Sequence, residues 1–257
     1  MEPVAEHNTS VRCYGVDTLP AILFIAGFGD DSSMFIPLAD TELAYRHRLV
    51  MVDLPGFGNA APLKVPTTLE ALAEVVHDLA DKERTQIVVT HSVASIIASL
   101  AARRSPSFIE TIISLEGNLT ADDAYYSGTA ADFDSAADFQ RSFLARLDEL
   151  AKNQQIFARY RSVIARANPV AMWELGCDAR KFSATNVPGD VLVETSRVCY
   201  LYNPVNCPKA SLEWLQSHPI PRLRMDGPTH WASVDQPRLV ARKILEALDL
   251  LQLPDQH

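Results

Sequence analysis

The 257-residue sequence has no surplus of basic residues and no long apolar segment. Acidic residues outnumber basic ones by 32 to 23, the formal net charge is -9, and the acids are spread along the chain. This balance argues against a nucleic acid or an anionic membrane as a partner. No run approaches the roughly 18 apolar residues of a membrane span, and the N-terminus has acids where a secretory signal is basic. We therefore expect a cytoplasmic protein.

Cysteine is also scarce, and metal-binding patterns are missing. The four cysteines, Cys13, Cys177, Cys199 and Cys207, include no CxxC pair, which favours free thiols, with a Cys199–Cys207 disulfide as the alternative. The sequence has no HExxH motif and no Cys/His cluster, so we expect no metal. It also lacks a P-loop lysine and a G-x-G-x-x-G motif, which disfavours a phosphate-binding role.

What the sequence does contain is an alternation of short apolar runs and helical patterns. The amphipathic helix predicted at Thr67–Glu83 has Thr67 and Glu70 as a capping box. Runs that are apolar on both faces are typical of parallel strands covered by helices, so we predict an α/β fold with a mostly parallel, doubly wound sheet. The predicted strands lie within Ala21–Gly29, Arg48–Gly58, Thr85–Ser92, Thr111–Gly117 and Arg197–Asn203.

Residues 118–190 interrupt this alternation, because they contain helical patterns and no convincing strand. We predict a single domain whose core comprises residues 1–117 and 191–257, with a helical cap inserted at 118–190. Aromatic residues of the insertion either line an apolar substrate pocket or pack the cap on the core. They are Phe143, Phe157, Tyr160 and Trp173.

One segment has the outline of a strand, a sharp turn and a helix. In VVTHSVAS, Ser92 stands at the turn, with Thr90 two residues before it and Ala94 two residues after it. A nucleophile elbow has this outline, normally with small residues at both flanking positions, and exposes the serine Oγ over a helix N-terminus. Serine is also a preferred N-cap, so the segment alone leaves open whether Ser92 is a nucleophile or a cap.

Two other segments contain possible partners for a nucleophilic serine. His230 follows a short predicted strand and a Gly-Pro loop, from which a base can reach the edge of the sheet. The Phe24–Phe35 segment contains an AGFG loop that can direct backbone N–H groups over the same edge. We predict an oxyanion hole formed by the N–H groups of Phe28 and Val93. The alternative for both segments is a purely structural role.

Taken together, these motifs resemble those of the α/β-hydrolase superfamily. AGFGDDSSMF resembles its oxyanion loop, with Ala26 replacing a histidine, and VMVDLPGFGNA resembles the segment after its next strand. VVTHSVAS resembles the nucleophile elbow, and GPTHWASVDQP resembles the segment with the catalytic histidine. The motifs occur in the family's order and span most of the chain outside the predicted cap. The resemblance implies a sheet of the α/β-hydrolase type with a helical cap insertion.

The acid of the expected triad departs from the usual pattern of the superfamily. The loop that follows the Arg197–Asn203 strand lacks the usual aspartate. Some haloalkane dehalogenases and zearalenone-type lactonases place the acid after the strand that follows the nucleophile, and Glu116 stands there. As a carboxylate ending an apolar strand, Glu116 also lies where sites form in such sheets. The order Ser92, Glu116, His230 matches the family's order, and Asp226 is the reserve candidate.

The residues and the resemblance predict a serine hydrolase that cleaves a carboxylic ester or lactone of a small, fairly apolar substrate through an acyl-enzyme. Ser92 is the expected nucleophile, His230 the general base and Glu116 the acid that orients it. We expect Gly27 and Trp231 to contact the substrate, and no cofactor. Alternatives with the same fold are a C–C bond hydrolase, an acyltransferase, a lyase, a cofactor-free oxygenase or a non-catalytic ligand-binding relative.

Overall fold

Seven strands form a single sheet in the computed structural model, which describes residues 9–104 and 109–252. The strands are β1 (Ser10–Tyr14), β2 (Ala21–Ile25), β3 (Arg48–Asp53), β4 (Ile87–His91), β5 (Thr111–Leu115), β6 (Arg197–Tyr202) and β7 (Arg222–Arg224). Their spatial order is β1-β3-β2-β4-β5-β6-β7. β1 is antiparallel to β3 and all other neighbours are parallel, which confirms the predicted mostly parallel α/β sheet.

Helices cover this sheet in two groups. The helices are α1 (Glu42–Arg46), α2 (Leu69–Lys82), α3 (Ala94–Arg104), α4 (Ala136–Ala151), α5 (Ile156–Ile164), α6 (Pro169–Thr185), α7 (Pro188–Thr195), α8 (Lys209–Ser217), α9 (Ala232–Asp235) and α10 (Pro237–Gln252). α2, α3 and α7 pack in one group, and α1 and α10 pack against each other in a second. None of the described helices is long and apolar enough to cross a membrane.

The central strands are buried on both faces, as parallel strands between helical layers are. All five residues of β5 are buried, and so are all but the first residue of β2 and of β4. The ionisable or amide side chains that are buried at the ends of these strands lie at the carboxyl ends, and they are Asp53, His91, Glu116 and Asn203. Polar groups therefore gather at the edge where open α/β sheets bind their ligands.

The sequence patterns missed β1 at the edge of the sheet. β1 contains the polar residues Ser10 and Arg12 and is only partly buried, so it has no apolar run to reveal it. Its antiparallel pairing with β3 is what makes it a strand. All four cysteines are free, as the sequence predicted, and the alternative Cys199–Cys207 disulfide is not formed.

The start of α2 also differs from the predicted capping box of Thr67 and Glu70. The N-cap is Thr68, whose hydroxyl accepts a hydrogen bond from the Ala71 N–H at 3.1 Å. The Thr67 N–H instead donates to the carboxylate of Glu174 on α6 at 2.7 Å. The N–H of Leu69, the first residue of α2, donates to the Asp178 carboxylate of α6 at 2.8 Å. A carboxylate distant in sequence thus accepts from one of the free N–H groups at this helix end, which local patterns do not reveal.

Between β5 and β6 the described chain forms helices and turns but no strand. Two short 3₁₀ helices, Ala121–Ala124 and Ser127–Asp132, precede α4 to α7. α7 spans the predicted boundary at residue 190 and packs on α3. The division into a core and a cap at residues 118–190 stays a prediction.

Candidate active site

Ser92 occupies a strained turn between β4 and α3. Its backbone φ is +54°, in the left-handed region that non-glycine residues rarely adopt. The Ser92 N–H donates to Leu115 O at 3.1 Å, and Ser92 O accepts from the Ser95 N–H at 3.0 Å. Thr90 and Ala94 are both fully buried, so the elbow accommodates them inside the core. A strained backbone persists only where the surrounding structure holds it in place, and such residues cluster at functional sites.

The loop after β2 passes directly over this turn. A Cβ atom on Gly27 would lie 3.0 Å from Ser92 Cβ and 2.7 Å from His91 Nδ1, so only glycine allows this approach. The next residue, Phe28, and the residue after the serine, Val93, each have a backbone N–H that donates to no other residue in the described ranges. Two free donors therefore lie on the segments that flank Ser92, as an oxyanion hole requires.

The structure brings His230 and Glu116 together. His230 Nδ1 lies 2.7 Å from Glu116 Oε2, and both side chains are largely buried. Glu116 has a left-handed φ of +44° directly after β5. Because the carboxylate can only accept while ionised, the His230 ring donates from Nδ1 and leaves Nε2 free to accept a proton.

The loop after β6 supplies amides to this carboxylate instead of an acid. Glu116 Oε1 accepts from the Asn203 N–H at 3.0 Å and from Asn206 Nδ2 at 2.9 Å. The side-chain amides of both asparagines also donate to Pro228 O, at 2.8 Å from Asn203 Nδ2 and 3.2 Å from Asn206 Nδ2. Pro228 belongs to the loop that carries His230, so the two asparagines tie the acid and the histidine loop together.

Asp226, the reserve candidate, lies elsewhere. Its carboxylate pairs with Arg224 Nε at 2.6 Å, and its side chain is 70% exposed. Among the described residues, Asp226 forms neither a hydrogen bond nor an ion pair with His230. The geometry therefore favours Glu116 over Asp226 as the partner of His230, while the catalytic roles stay predictions.

Ser92 and His230 line the same small cavity without a hydrogen bond between them. Its walls also include Gly27, Phe28 and Trp231, so the predicted contact residues lie beside the serine. The cavity volume is about 10 Å³, enough for about one water molecule. Within residues 9–104 and 109–252, no three His, Cys, Asp or Glu side chains form a group that could hold a metal ion.

The sequence patterns assigned no role to His91, the residue directly before Ser92. His91 is only 3% exposed, and its ring centroid lies 4.4 Å from that of His230. His91 Nε2 lies 2.9 Å from His230 O, and because a carbonyl only accepts, His91 donates this hydrogen bond. Burial, reinforced by the neighbouring His230, lowers the pKa of His91 well below its ordinary value. His91 is therefore a neutral support for the histidine loop.

This lowered pKa predicts a pH dependence of stability. Unfolded His91 takes up a proton below about pH 6.5 while folded His91 does not, so its contribution is present above that pH and lost as pH falls. Between pH 7.5 and 5.5, wild type should lose about 1 kcal/mol more unfolding free energy than His91→Gln. Urea unfolding at both pH values measures the difference. Equal losses in the two proteins would contradict this account of His91.

Side chains of α5 form hydrogen bonds with the loop after β2. Arg159 Nη1 donates to the buried carboxylate of Asp30 at 2.5 Å, and Trp231 Nε1 donates to the same oxygen at 3.0 Å. The hydroxyl of Tyr160, also on α5, donates to Phe28 O at 2.5 Å. Burial raises the pKa of Asp30, and the Arg159 guanidinium opposes that rise. These contacts join the loop after β2, the loop that carries His230, and α5.

Comparison with known proteins identifies the family of this chain. The model of the alpha/beta hydrolase family matches residues 22–243, so this chain belongs to that family. No curated protein sequence matches the chain. The predicted resemblance to the α/β hydrolases is thus confirmed.

Solved structures of similar fold include hydrolases of several kinds. A thermophilic esterase from Thermogutta terrifontis is 17% identical, with a TM-score of 0.73, and the match covers 95% of this chain and 94% of that one. A hydrolase from Oleispira antarctica is 14% identical, with a TM-score of 0.76 and 96% coverage of both chains. The enol-lactonase from Burkholderia xenovorans is 16% identical, with a TM-score of 0.72 and coverage of 94% and 96%. At these identities the likeness establishes the fold alone.

Proposed function

We propose that this protein is a serine hydrolase that cleaves a carboxylic ester or a lactone through an acyl-enzyme. One observation carries the proposal: a serine in a left-handed strand–helix turn shares a cavity with a histidine that is bonded to a buried carboxylate. Nucleophile, base and orienting acid in this arrangement are the parts that acyl transfer requires. The esterase and the lactonase among the similar structures are consistent with that chemistry.

In the proposed reaction, Ser92 Oγ attacks the acyl carbon while His230 Nε2 takes the hydroxyl proton. Glu116 holds the histidine tautomer and stabilises the imidazolium that forms. The N–H groups of Phe28 and Val93 stabilise the oxyanion of the tetrahedral intermediate, and Val93 stands at the N-terminus of α3, where free N–H groups favour negative charge. The imidazolium then protonates the leaving alkoxide, and water hydrolyses the acyl-enzyme by the same steps.

The two asparagines of the β6 loop hold the acid in this scheme. The Asn203 N–H and Asn206 Nδ2 both donate to Glu116 Oε1, while Glu116 Oε2 faces His230 Nδ1. Asn203 and Asn206 therefore act as positioning residues for the acid.

Partitioning of the acyl-enzyme tests the proposal. Wild type is incubated with aryl and alkyl esters of one acid in buffer containing methanol, and the ratio of methyl ester to free acid is measured. A common acyl-enzyme predicts the same ratio for every leaving group, because methanol and water compete for one intermediate. A ratio that depends on the leaving group would contradict an acyl-enzyme. Absence of turnover on every ester and lactone would contradict the hydrolase proposal.

A further inference from the structure

We infer that the site is asymmetric: it accepts a short acyl group, of about acetyl size, and a much larger leaving group. The inference rests on the proposed function, since it assigns the two halves of an ester to two cavities that meet at the site. The acyl group lies in the closed cavity over Ser92, and the leaving group lies in an open cleft beyond His230.

The two cavities differ greatly in size. The cavity over Ser92 has a volume of about 10 Å³, whereas the cleft measures about 480 Å³ on the same scale. The cleft lies within the range of about 300–1,000 Å³ that small-molecule sites occupy. Tyr126, His230 and Trp231 line both cavities, so the two spaces share a wall at the histidine.

The chemistry of the tetrahedral intermediate determines which half of the ester enters which cavity. Its carbon bears the serine oxygen, the oxyanion, the leaving oxygen and the acyl substituent. The oxyanion must face the Phe28 and Val93 N–H groups, and the leaving oxygen must face His230, which protonates it. The leaving group therefore departs on the His230 side, where the cleft opens. We assign the acyl substituent to the closed cavity over Ser92, whose lining includes Tyr160 and Ser127.

Packing of its lining residues on one another and on the residues behind them keeps the acyl cavity small. The Phe28 ring packs at 6.0 Å from Phe143, and the Tyr160 ring packs at 4.7 Å from Trp231, both between ring centroids. The Tyr160 hydroxyl is bonded to Phe28 O, and the ion pair of Arg159 and Asp30 ties α5 to the same loop. A long acyl chain could bind only if this cavity were enlarged, and enlarging it would break buried contacts. Binding of a long acyl chain is therefore less favourable than binding of an acetyl group.

The cleft has the opposite character. Tyr125 and Phe157 contribute aromatic surface, and Val205 on its rim is 88% exposed. Among the described residues that line it, Asp226 is the one carboxylate, and no lysine or arginine lines it. A bulky apolar or aromatic leaving group without negative charge fits this surface, because it buries apolar area and avoids repulsion.

Three esters of similar intrinsic reactivity test the inference in wild type: benzyl acetate, benzyl hexanoate and ethyl acetate. We expect kcat/KM to be at least about 100-fold higher for benzyl acetate than for benzyl hexanoate, because the acyl cavity rejects added methylenes. We also expect benzyl acetate to exceed ethyl acetate by about tenfold or more, because the cleft binds the ring. Faster cleavage of the hexanoate than of the acetate would overturn the inference.

Two aromatic residues on α5 make a matched pair of variants, since Tyr160 lines only the acyl cavity and Phe157 only the cleft. Tyr160→Ala should raise the hexanoate-to-acetate ratio by about tenfold. Tyr160→Phe keeps the wall and removes the bond to Phe28 O, so it should lower kcat without changing that ratio. Phe157→Ala should leave the acyl ratio unchanged and lower the preference for benzyl over ethyl.

The outcomes separate the inference from the function on which it rests. If Phe157→Ala shifts the acyl ratio and Tyr160→Ala does not, the two cavities are assigned the wrong way round and the inference is wrong. If Tyr160→Ala does not fold, the acyl and alcohol preferences of wild type decide the question alone. If wild type cleaves no ester or lactone at all, the proposed function fails, and the inference fails with it.

Discussion

Replacement of Ser92 by alanine should lower kcat for ester hydrolysis by about 10⁴-fold or more, since no other group in the proposed reaction can form the acyl-enzyme. The substitution removes one oxygen from a residue that makes no side-chain hydrogen bond within the described ranges. We therefore expect little change in the free energy of unfolding. Steady-state kinetics on the preferred ester, with urea unfolding to verify the fold, measure both effects.

Ser99→Ala is the matched control for this substitution. Ser99 lies on α3 and is fully buried, and its hydroxyl donates to Ser95 O at 2.7 Å. Its loss removes a local bond in the same helix without touching the cavity, so kcat should stay within about twofold of wild type. Full activity in Ser92→Ala, or equal losses in the two variants, would contradict the nucleophile assignment.

Replacement of Glu116 by glutamine should lower kcat by about 10³- to 10⁴-fold, the loss that a neutral amide causes at the acid of such a triad. Glutamine keeps the shape and can still accept from Asn206, but it cannot stabilise the imidazolium and can hold the wrong histidine tautomer. Asp226→Asn changes an exposed carboxylate that pairs with Arg224, and we expect its kcat to stay within about twofold of wild type.

A third variant separates the charge of Glu116 from its position. Asn206→Ala leaves the glutamate in place but removes the donor at 2.9 Å, so we expect a smaller loss, of about tenfold in kcat. A large loss in Asp226→Asn combined with normal activity in Glu116→Gln would show that the acid has been assigned to the wrong residue.

The sheet was largely predictable because its central strands are apolar on both faces, which leaves a continuous hydrophobic run in the sequence. Strands β2 to β6 lie within the predicted segments. β1 was not predicted, because an edge strand with one partly exposed face contains too few apolar residues. The N-cap of α2 was predicted one residue too early, because two carboxylates of α6 accept from the N–H groups of Thr67 and Leu69, and they lie 107 and 109 residues away in the sequence.

Only part of the candidate site could be predicted from the sequence, because several of its contacts join residues that are distant in the sequence. Motifs in the order typical of α/β hydrolases indicated Ser92 and His230. Because the loop after β6 lacks an aspartate, Glu116 was predicted as the acid. The supports came only from the structure, since Asn206 and His91 act through contacts with residues far away in the sequence. The bond of Arg159 to Asp30 joins α5 to the loop after β2 across 129 residues of sequence, and no local pattern predicts such a pair.

Covalent labelling of the folded enzyme tests the central claim most directly. The protein is treated with a fluorophosphonate, activity is followed over time, and the modified residue is located by peptide mass spectrometry. We predict one phosphonyl group per chain on Ser92, with activity lost in proportion to labelling and none of the adduct in Ser92→Ala. Protein that remains fully active on esters with Ser92 unlabelled, or that is inactivated by modification of another residue, would contradict the account.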